Sequence, residues 1–296
     1  MENITVTPYT SCISAYNNLN YLQLAVQGIR RNSYHRDAPI IVHAENCTDG
    51  TNEWLHDYGA SYDLEYYIES NPNPRGIGGG MNFCAGKVKT EFINFLHADF
   101  YVSKNYDLEL LKFFEKYPDE RMWVFSARIQ PNLFNDAPRL GTLPVPPATF
   151  GEYHHNFQAE KFLLFAEEYK NNNDIEITKT EGVSGLIRKC DWDYMGGNDP
   201  RFAPAYWEDA DLFIRMANEG FKFVLTSKSV VYHFGSRASR FPDDNLGQRP
   251  LHLEEIEKRS FYRFIEKYGR IPERDENDFY LPIPIIDGSP TRIPLV

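Results

Sequence analysis

The feature that most constrains this chain is Phe92-Ile93-Asn94-Phe95-Leu96, a nearly continuous apolar run that stops at His97-Ala98-Asp99. Its length and its polar stop predict a strand buried on both faces. Such strands belong to parallel α/β sheets, which bind ligands beyond the carboxyl ends of their strands. Asp99 therefore falls where an α/β enzyme holds a metal ion or a phosphate-bearing ligand.

The flanking sequence repeats the pattern. Residues 4–7 read as a first strand ended by Pro8, and Leu19, Leu22, Val26 and Ile29 follow at helical spacing. Residues 39–43 read as a second strand. Cys47-Thr48-Asp49-Gly50 is then a turn that supplies helix N-caps, ahead of a helix with Trp54, Leu55 and Tyr58 on one face. A third strand is expected at 64–68, a Gly-rich helix start at 75–80, a helix at 106–117 and a strand at 122–128. Strands alternating with helices predict a mostly parallel sheet with right-handed crossovers.

Between 131 and 180 prolines, asparagines and aromatics replace this regularity. That stretch reads as a variable insertion with one helix near 158–169. Regularity returns in Gly182-Val183-Ser184-Gly185-Leu186-Ile187-Arg188. A helix follows Trp207-Glu208-Asp209 and stops at Gly220. Two short strands near 221–225 and 230–232, a helix at about 253–267 and a Pro-rich tail complete the reading.

Composition narrows the function. The 296 residues are 42% hydrophobic and carry a net charge of −11, which suits a globular domain and excludes general nucleic-acid binding. No apolar segment is long enough for a membrane span, and the N-terminus lacks a signal peptide's pattern. Cys12, Cys47, Cys84 and Cys190 are scattered without a Cys-x-x-Cys pair, which argues against a disulfide framework or structural zinc. The expected location is cytoplasmic, with peripheral membrane attachment left open.

Four motifs carry candidate chemistry. Arg75-Gly76-Ile77-Gly78-Gly79-Gly80 before a helix is either a phosphate cradle or simply a permissive loop. It lies after the third strand, not the first, so it is a poor dinucleotide fingerprint, and a nicotinamide-dependent oxidoreductase is a poor reading. Asp99 is either a metal ligand or a solvated strand end. Glu208-Asp209 at a helix start is either favoured there by the helix dipole or is a general base walled by Trp207. His233 is either a rim residue or a second metal ligand beside Asp99.

The order of these motifs resembles the inverting family 2 glycosyltransferases of GT-A fold. The likeness covers residues 4–235, with a poor stretch at 131–180. Gly196-Gly197-Asn198-Asp199-Pro200-Arg201-Phe202 ahead of Trp-Glu-Asp is most similar to the rhamnosyl- and galactofuranosyltransferase-like branch. The resemblance implies a Rossmann-like GT-A sheet flanked by helices, with an irregular insertion and a C-terminal helix. Residues 1–130 would form the nucleotide-sugar half, 131–180 the insertion, 181–236 the acceptor and catalytic half, and 237–296 the final helix and tail.

It also implies roles. Thr7, Tyr9, Glu45, Arg75, Gly76, Asn82, His97 and Ala98 would contact the nucleotide donor. Asp99 and His233 would hold Mn2+ or Mg2+. Asp209, assisted by Glu208, would be the base, and Gly182, Ser184, Gly185 and Trp207 would face the donor sugar and acceptor. The donor would be a nucleotide-diphosphate sugar and the acceptor a glycan, lipid carrier or protein. His97 replaces the first acid of the family's Asp-x-Asp motif. That departure is the best support for the alternative, a non-catalytic sugar-nucleotide or glycan-binding protein.

Overall fold

In the computed structural model of the chain, residues 9–132, 142–178, 184–235, 237, 251–276 and 279–294 are described. The first half alternates as its apolar pattern dictates. Strands β1 (Tyr9–Ala15), β2 (Ile40–Glu45), β3 (Leu64–Glu69) and β4 (Phe92–His97) are joined through helices α1 (Leu19–Asn32), α2 (Thr51–Tyr58) and α3 (Gly76–Lys87). They pair in parallel in the order β3-β2-β1-β4. Asp49 fastens the turn after β2 by capping two helices. One of its carboxylate oxygens accepts the Leu19 amide at the start of α1 (2.8 Å), the other the Thr51 amide of α2 (3.2 Å).

The remaining elements widen the sheet. They are β5 (Phe100–Val102), α4 (Tyr106–Lys116), β6 (Met122–Pro131), β7 (Thr142–Val145), α5 (Ala159–Asn172), β8 (Glu176–Thr178), β9 (Gly185–Arg188), α6 (Lys189–Met195), α7 (Glu208–Asn218), β10 (Lys222–His233) and α8 (Leu251–Tyr268). The sheet order is β3-β2-β1-β4-β9-β6-β10-β5, with β7 on β6 and β8 on β10. Among the described strands, β9 and β5 alone run against their neighbours on this path, and β8 runs against β10 beside it. The mixed α/β class therefore holds, as a mostly parallel sheet.

Period-two alternation sends successive side chains into two apolar layers. On β6, Trp123, Phe125 and Ile129 enter one layer with residues of α3, α5, α6, α7 and α8; Met122 and Val124 enter the other with residues of α1, α2 and α4. Chain length then forces a curl. Only Ala98 and Asp99 separate β4 from β5, yet β5 pairs with β10, at the far end of the path through β9 and β6. The three steps from His97 to Phe100 span at most about 11 Å, so the sheet bends round until the carboxyl ends of β4 and β10 meet.

Three expectations change. Residues 4–7 lie outside the described residues, and the first strand observed is Tyr9–Ala15. Its polar side chains hid it: Ser11 accepts from buried Asn94, and Thr10 bonds Thr90. The two short strands near 221–232 are one strand, β10, irregular between Thr226 and Val230. The insertion contributes β7 and β8 to the sheet, and beyond α8 the tail packs down, with Phe279, Tyr280 and Ile283 buried.

A buried ion network fixes α7. Asp211 binds Arg215 (2.7 Å) on its own helix and Lys267 (2.6 Å) on α8, and Lys267 also reaches Asp199 (2.8 Å). Tyr268 donates to Asp211, and Arg215 donates to the Gly197 carbonyl. Burial alone would push the Asp211 carboxyl up; Arg215 and Lys267 reverse this and hold it below the usual range. Lys267→Met should lower unfolding stability in urea by about 3–5 kcal/mol, because it strands buried carboxylates. A loss under about 1 kcal/mol would show that the network does not hold the helix.

Candidate active site

The carboxyl ends of β1, β2, β4, β6 and β10 lie along one edge, since all five run the same way. At that edge Asp99, buried in the turn between β4 and β5, faces His233, the last residue of β10, with Oδ2 and Nε2 3.4 Å apart. The pairing of Phe100 with His233 brings them together, and the Phe100 ring stacks on the imidazole at 4.6 Å. Burial alone would raise the Asp99 carboxyl. His233, His97 and the Arg237 amide, which donates to Oδ2 at 3.1 Å, instead hold it far below the usual carboxylate range.

His97 lies beside this pair. Burial lowers its imidazole to about 4; Asp99 and Asp209 pull it up, while His233 and Arg128 push it down. It is therefore neutral at pH 7. The same balance places Asp209 and Arg128, like Asp99 and His233, within electrostatic reach of His97. Asp209 is exposed in the first turn of α7, where one carboxylate oxygen accepts the Ala210 amide (2.7 Å). The chain reaches that turn through Tyr206 and Trp207, both left-handed at φ 73° and 69°. Such residues cost about 1–3 kcal/mol each and persist only where the surroundings impose them.

Several residues assigned to the donor have partners within the chain. Tyr9 opens β1 instead of following it; it is fully buried at the other end of the strand with its hydroxyl on Asp107. Glu45 accepts the Arg75 and Gly76 amides (2.8 and 2.9 Å), closing the N-terminus of α3. Ala98 is buried in the apolar layer. Asn82 exchanges two hydrogen bonds with the Asn198 backbone, both 2.8 Å, and so pins the loop after α6.

The glycine cluster packs rather than cradles. A Cβ on Gly76 would lie 1.6 Å from the Pro204 carbonyl oxygen, one on Gly78 3.0 Å from Asn198 Cβ, and one on Gly80 2.2 Å from Ser14 Oγ. Arg75 instead pairs with Glu69 (3.0 Å) on the rim. Gly185 admits β9 between its neighbours, since a Cβ there would meet the Val124 carbonyl oxygen at 2.5 Å. Trp207 packs on Phe261 and Phe264 of α8, and Ser184 is buried. Glu208 flanks Asp209 against Gly78. Thr7 and Gly182 lie outside the described residues.

Four residues at the edge were not singled out from the sequence. Tyr16, just past β1, is an aromatic ring 54% exposed at the carboxyl end of that strand. Arg128 and Gln130 alternate on β6, and Gln130 Oε1 lies 3.3 Å from His233 Nδ1. Arg237 is buried and joins the Asp99 turn to Glu152 and the Tyr153 ring of the insertion. The signal for the β6 pair was present: a polar i, i+2 alternation at the carboxyl end of a strand otherwise apolar.

The donor set suits a divalent cation shared with a ligand. Two ligands at about 2.1 Å and at right angles lie about 3 Å apart, close to the Asp99–His233 spacing. Among the described residues no group of three or more His, Cys, Asp or Glu side chains converges as a metal site. Further oxygens would have to come from what binds. Nor is any helix there long and apolar enough to cross a membrane.

This edge, on this sheet order, defines a GT-A domain. Among solved structures, GalNAc-T7 with UDP, GalNAc and Mn2+ superposes with a TM-score of 0.57 at 13% identity, covering 78% of this chain and 44% of that one. S. aureus TarS superposes at 0.53 and 14% identity, over 88% of this chain and 43% of that one. TarS 1–349 in complex with UDP gives 0.52 and 14%, over 87% and 72%. The chain thus spans less than half the length of GalNAc-T7 and of full TarS. No curated protein matches it. The sequence itself fits the model of glycosyl transferase family 2 over residues 10–190, more than half its length, and the chain belongs to that family.

The depressed imidazole of half-buried His97 predicts a pH dependence. Its folded pKa of about 4 lies below an unfolded value of about 6.5. Between these values the unfolded chain binds the extra proton, so stability is complete above about pH 6.5 and declines toward pH 4. Asp99, whose unfolded pKa is about 3.9, adds its loss only at lower pH. With divalent ions chelated, the melting temperature of His97→Asn should fall less between pH 7 and pH 5 than that of the wild type. Equal falls would contradict a neutral His97 with a depressed pKa.

Proposed function

We propose that the chain is an inverting, metal-assisted glycosyltransferase that moves a sugar from a nucleotide-diphosphate sugar to an acceptor hydroxyl. The observation that carries the reading is the Asp99–His233 pair at the sheet edge, with Asp209 acting on the same neighbouring imidazole, His97. Asp99 and His233 would hold Mn2+ or Mg2+, which when bound neutralises charge on the leaving diphosphate. Asp209 takes the proton of the acceptor hydroxyl as that oxygen attacks the anomeric carbon. The bond to the diphosphate oxygen breaks on the opposite face, the diphosphate leaves with the electron pair, and the configuration inverts. Glu208 flanks the base.

UDP in the solved structures of TarS 1–349 and GalNAc-T7 makes a uridine donor the first to test. Tyr16 is the proposed platform for the base. Residues 1–130 would then be the nucleotide half and 181–236 the catalytic half. The insertion, tied to the Asp99 turn through Arg237, would meet a glycan, lipid-carrier or protein acceptor. The loop at 196–202 supports the rhamnosyl- and galactofuranosyltransferase-like branch, and a cytoplasmic, soluble or membrane-peripheral location goes with it. A neutral His97 favours one second reading, a binding protein on the same fold that does not transfer sugar.

Asp209→Asn should keep donor affinity within about twofold by calorimetry and lose transfer by about 10²–10⁴-fold. Transfer at the wild-type rate would remove Asp209 as base, and a wild type that binds donor without turnover would favour the second reading. Asp99→Asn should abolish the metal-dependent part of donor binding.

Tyr16→Ala tests the base platform separately. Loss of a stacked base costs about 1–3 kcal/mol, so UDP affinity should weaken accordingly while the melting temperature without ligand stays put. Unchanged UDP affinity would place the base elsewhere.

A further inference from the structure

We infer that Gln130 is a positioning residue: its side-chain carbonyl takes the Nδ1 proton of His233 and so leaves Nε2 bare toward Asp99. The inference rests on the reading of Asp99 and His233 as cation ligands, and it adds the group that makes His233 able to serve.

The argument begins with register. Tyr232 of β10 pairs with Ile129 of β6, so the next residues along, His233 and Gln130, are neighbours. Gln130 Oε1 lies 3.3 Å from Nδ1, and Asp99 Oδ2 lies 3.4 Å from Nε2. The stacked Phe100 ring, tilted by only 22°, fixes the imidazole plane, so each nitrogen keeps its own neighbour.

A neutral imidazole carries one N–H. If it sat on Nε2, it would point at Asp99, and the cation-facing lone pair would be lost. With the proton on Nδ1, the amide oxygen accepts it and the Nε2 lone pair meets a carboxylate. Those two electron-rich atoms are stable side by side only when a positive charge lies between them. An outer hydrogen bond of this kind fixes the tautomer and ring orientation of a metal-binding histidine. Gln130 does this without a charge of its own, in a cluster that already contains Asp99 and Asp209.

The experiment uses the full chain and its Gln130→Leu and Gln130→Glu variants. Nitrogen-15 NMR of the protein with UDP and just enough Mg2+ to fill the wild-type site, with the His233 signal assigned by its loss in His233→Gln, reads the tautomer directly. Free Mn2+ measured by electron paramagnetic resonance, with UDP present, reads the affinity. The wild type should show the Nδ1–H form. Gln130→Leu should lose that preference and bind Mn2+ about 10–100-fold more weakly at an unchanged metal-free melting temperature, and Gln130→Glu, still an acceptor, should restore both. An Nε2–H form in the wild type overturns the inference. So does wild-type Mn2+ affinity in Gln130→Leu when Asp99→Asn loses it. A wild type that binds no Mn2+ overturns the cation reading, and this inference with it.

Discussion

The position of the exposed acid at the start of α7 depends on charges buried one turn further along. Asp211, Arg215 and Lys267 have fully buried side chains, and removing them from water costs several kcal/mol per ion before their attraction repays it. An apolar cluster of similar volume could match or exceed that stability. Position is what the ions add: Asp211 can satisfy both oxygens only if α7, α8 and the loop carrying Asp199 are in one arrangement. Arg215 extends the constraint to the carbonyls of Met195, Gly197 and Thr291. Two left-handed residues ahead of α7 can then be imposed, and Asp209 is held at the sheet edge.

The same loop joins the two halves of the molecule. Gly76 and Gly78 bring α3 against Pro204 and Asn198, Asn82 holds the Asn198 backbone, and Ile77 donates its amide to the Pro204 carbonyl. Glu45, at the end of β2, closes the start of that helix. A path of direct contacts therefore runs from β2 through α3 and the loop after α6 to α7. The curl of the sheet supplies the other junction, because the two-residue link between β4 and β5 brings Asp99 to His233. Neither junction involves residues close in sequence, yet together they make one edge out of distant strands.

This explains which parts of the molecule were legible in the sequence. The β4 run, the helix faces of α1 and α7 and the capping turn at Asp49 are local patterns, and each lies where its pattern placed it. Asp99 and His233 were readable because strand ends are visible as apolar runs that stop. The glycine cluster was ambiguous because a glycine that admits a phosphate and one that admits a carbonyl look identical in one dimension. Tyr9 was misplaced because β1 is built from Thr, Ser and Cys, whose hydrogen bonds inside the sheet cannot be seen along the chain. Glu45 and Asn82 are polar residues that satisfy backbone groups of distant segments, which no local pattern reveals.

His97 is where local and global arguments meet. A second acid there would add negative charge beside Asp99 and Asp209, at a point where burial already disfavours charge. A neutral imidazole removes that repulsion but also removes charge that would attract a cation. On the proposed reading the protein then offers one carboxylate and one imidazole, and the diphosphate of the donor must supply the rest of the shell. Cation and donor would each bind weakly alone and strongly together, since linkage makes the effect of one on the other reciprocal. On that reading, His97 in place of an acid would tie metal occupancy to donor occupancy.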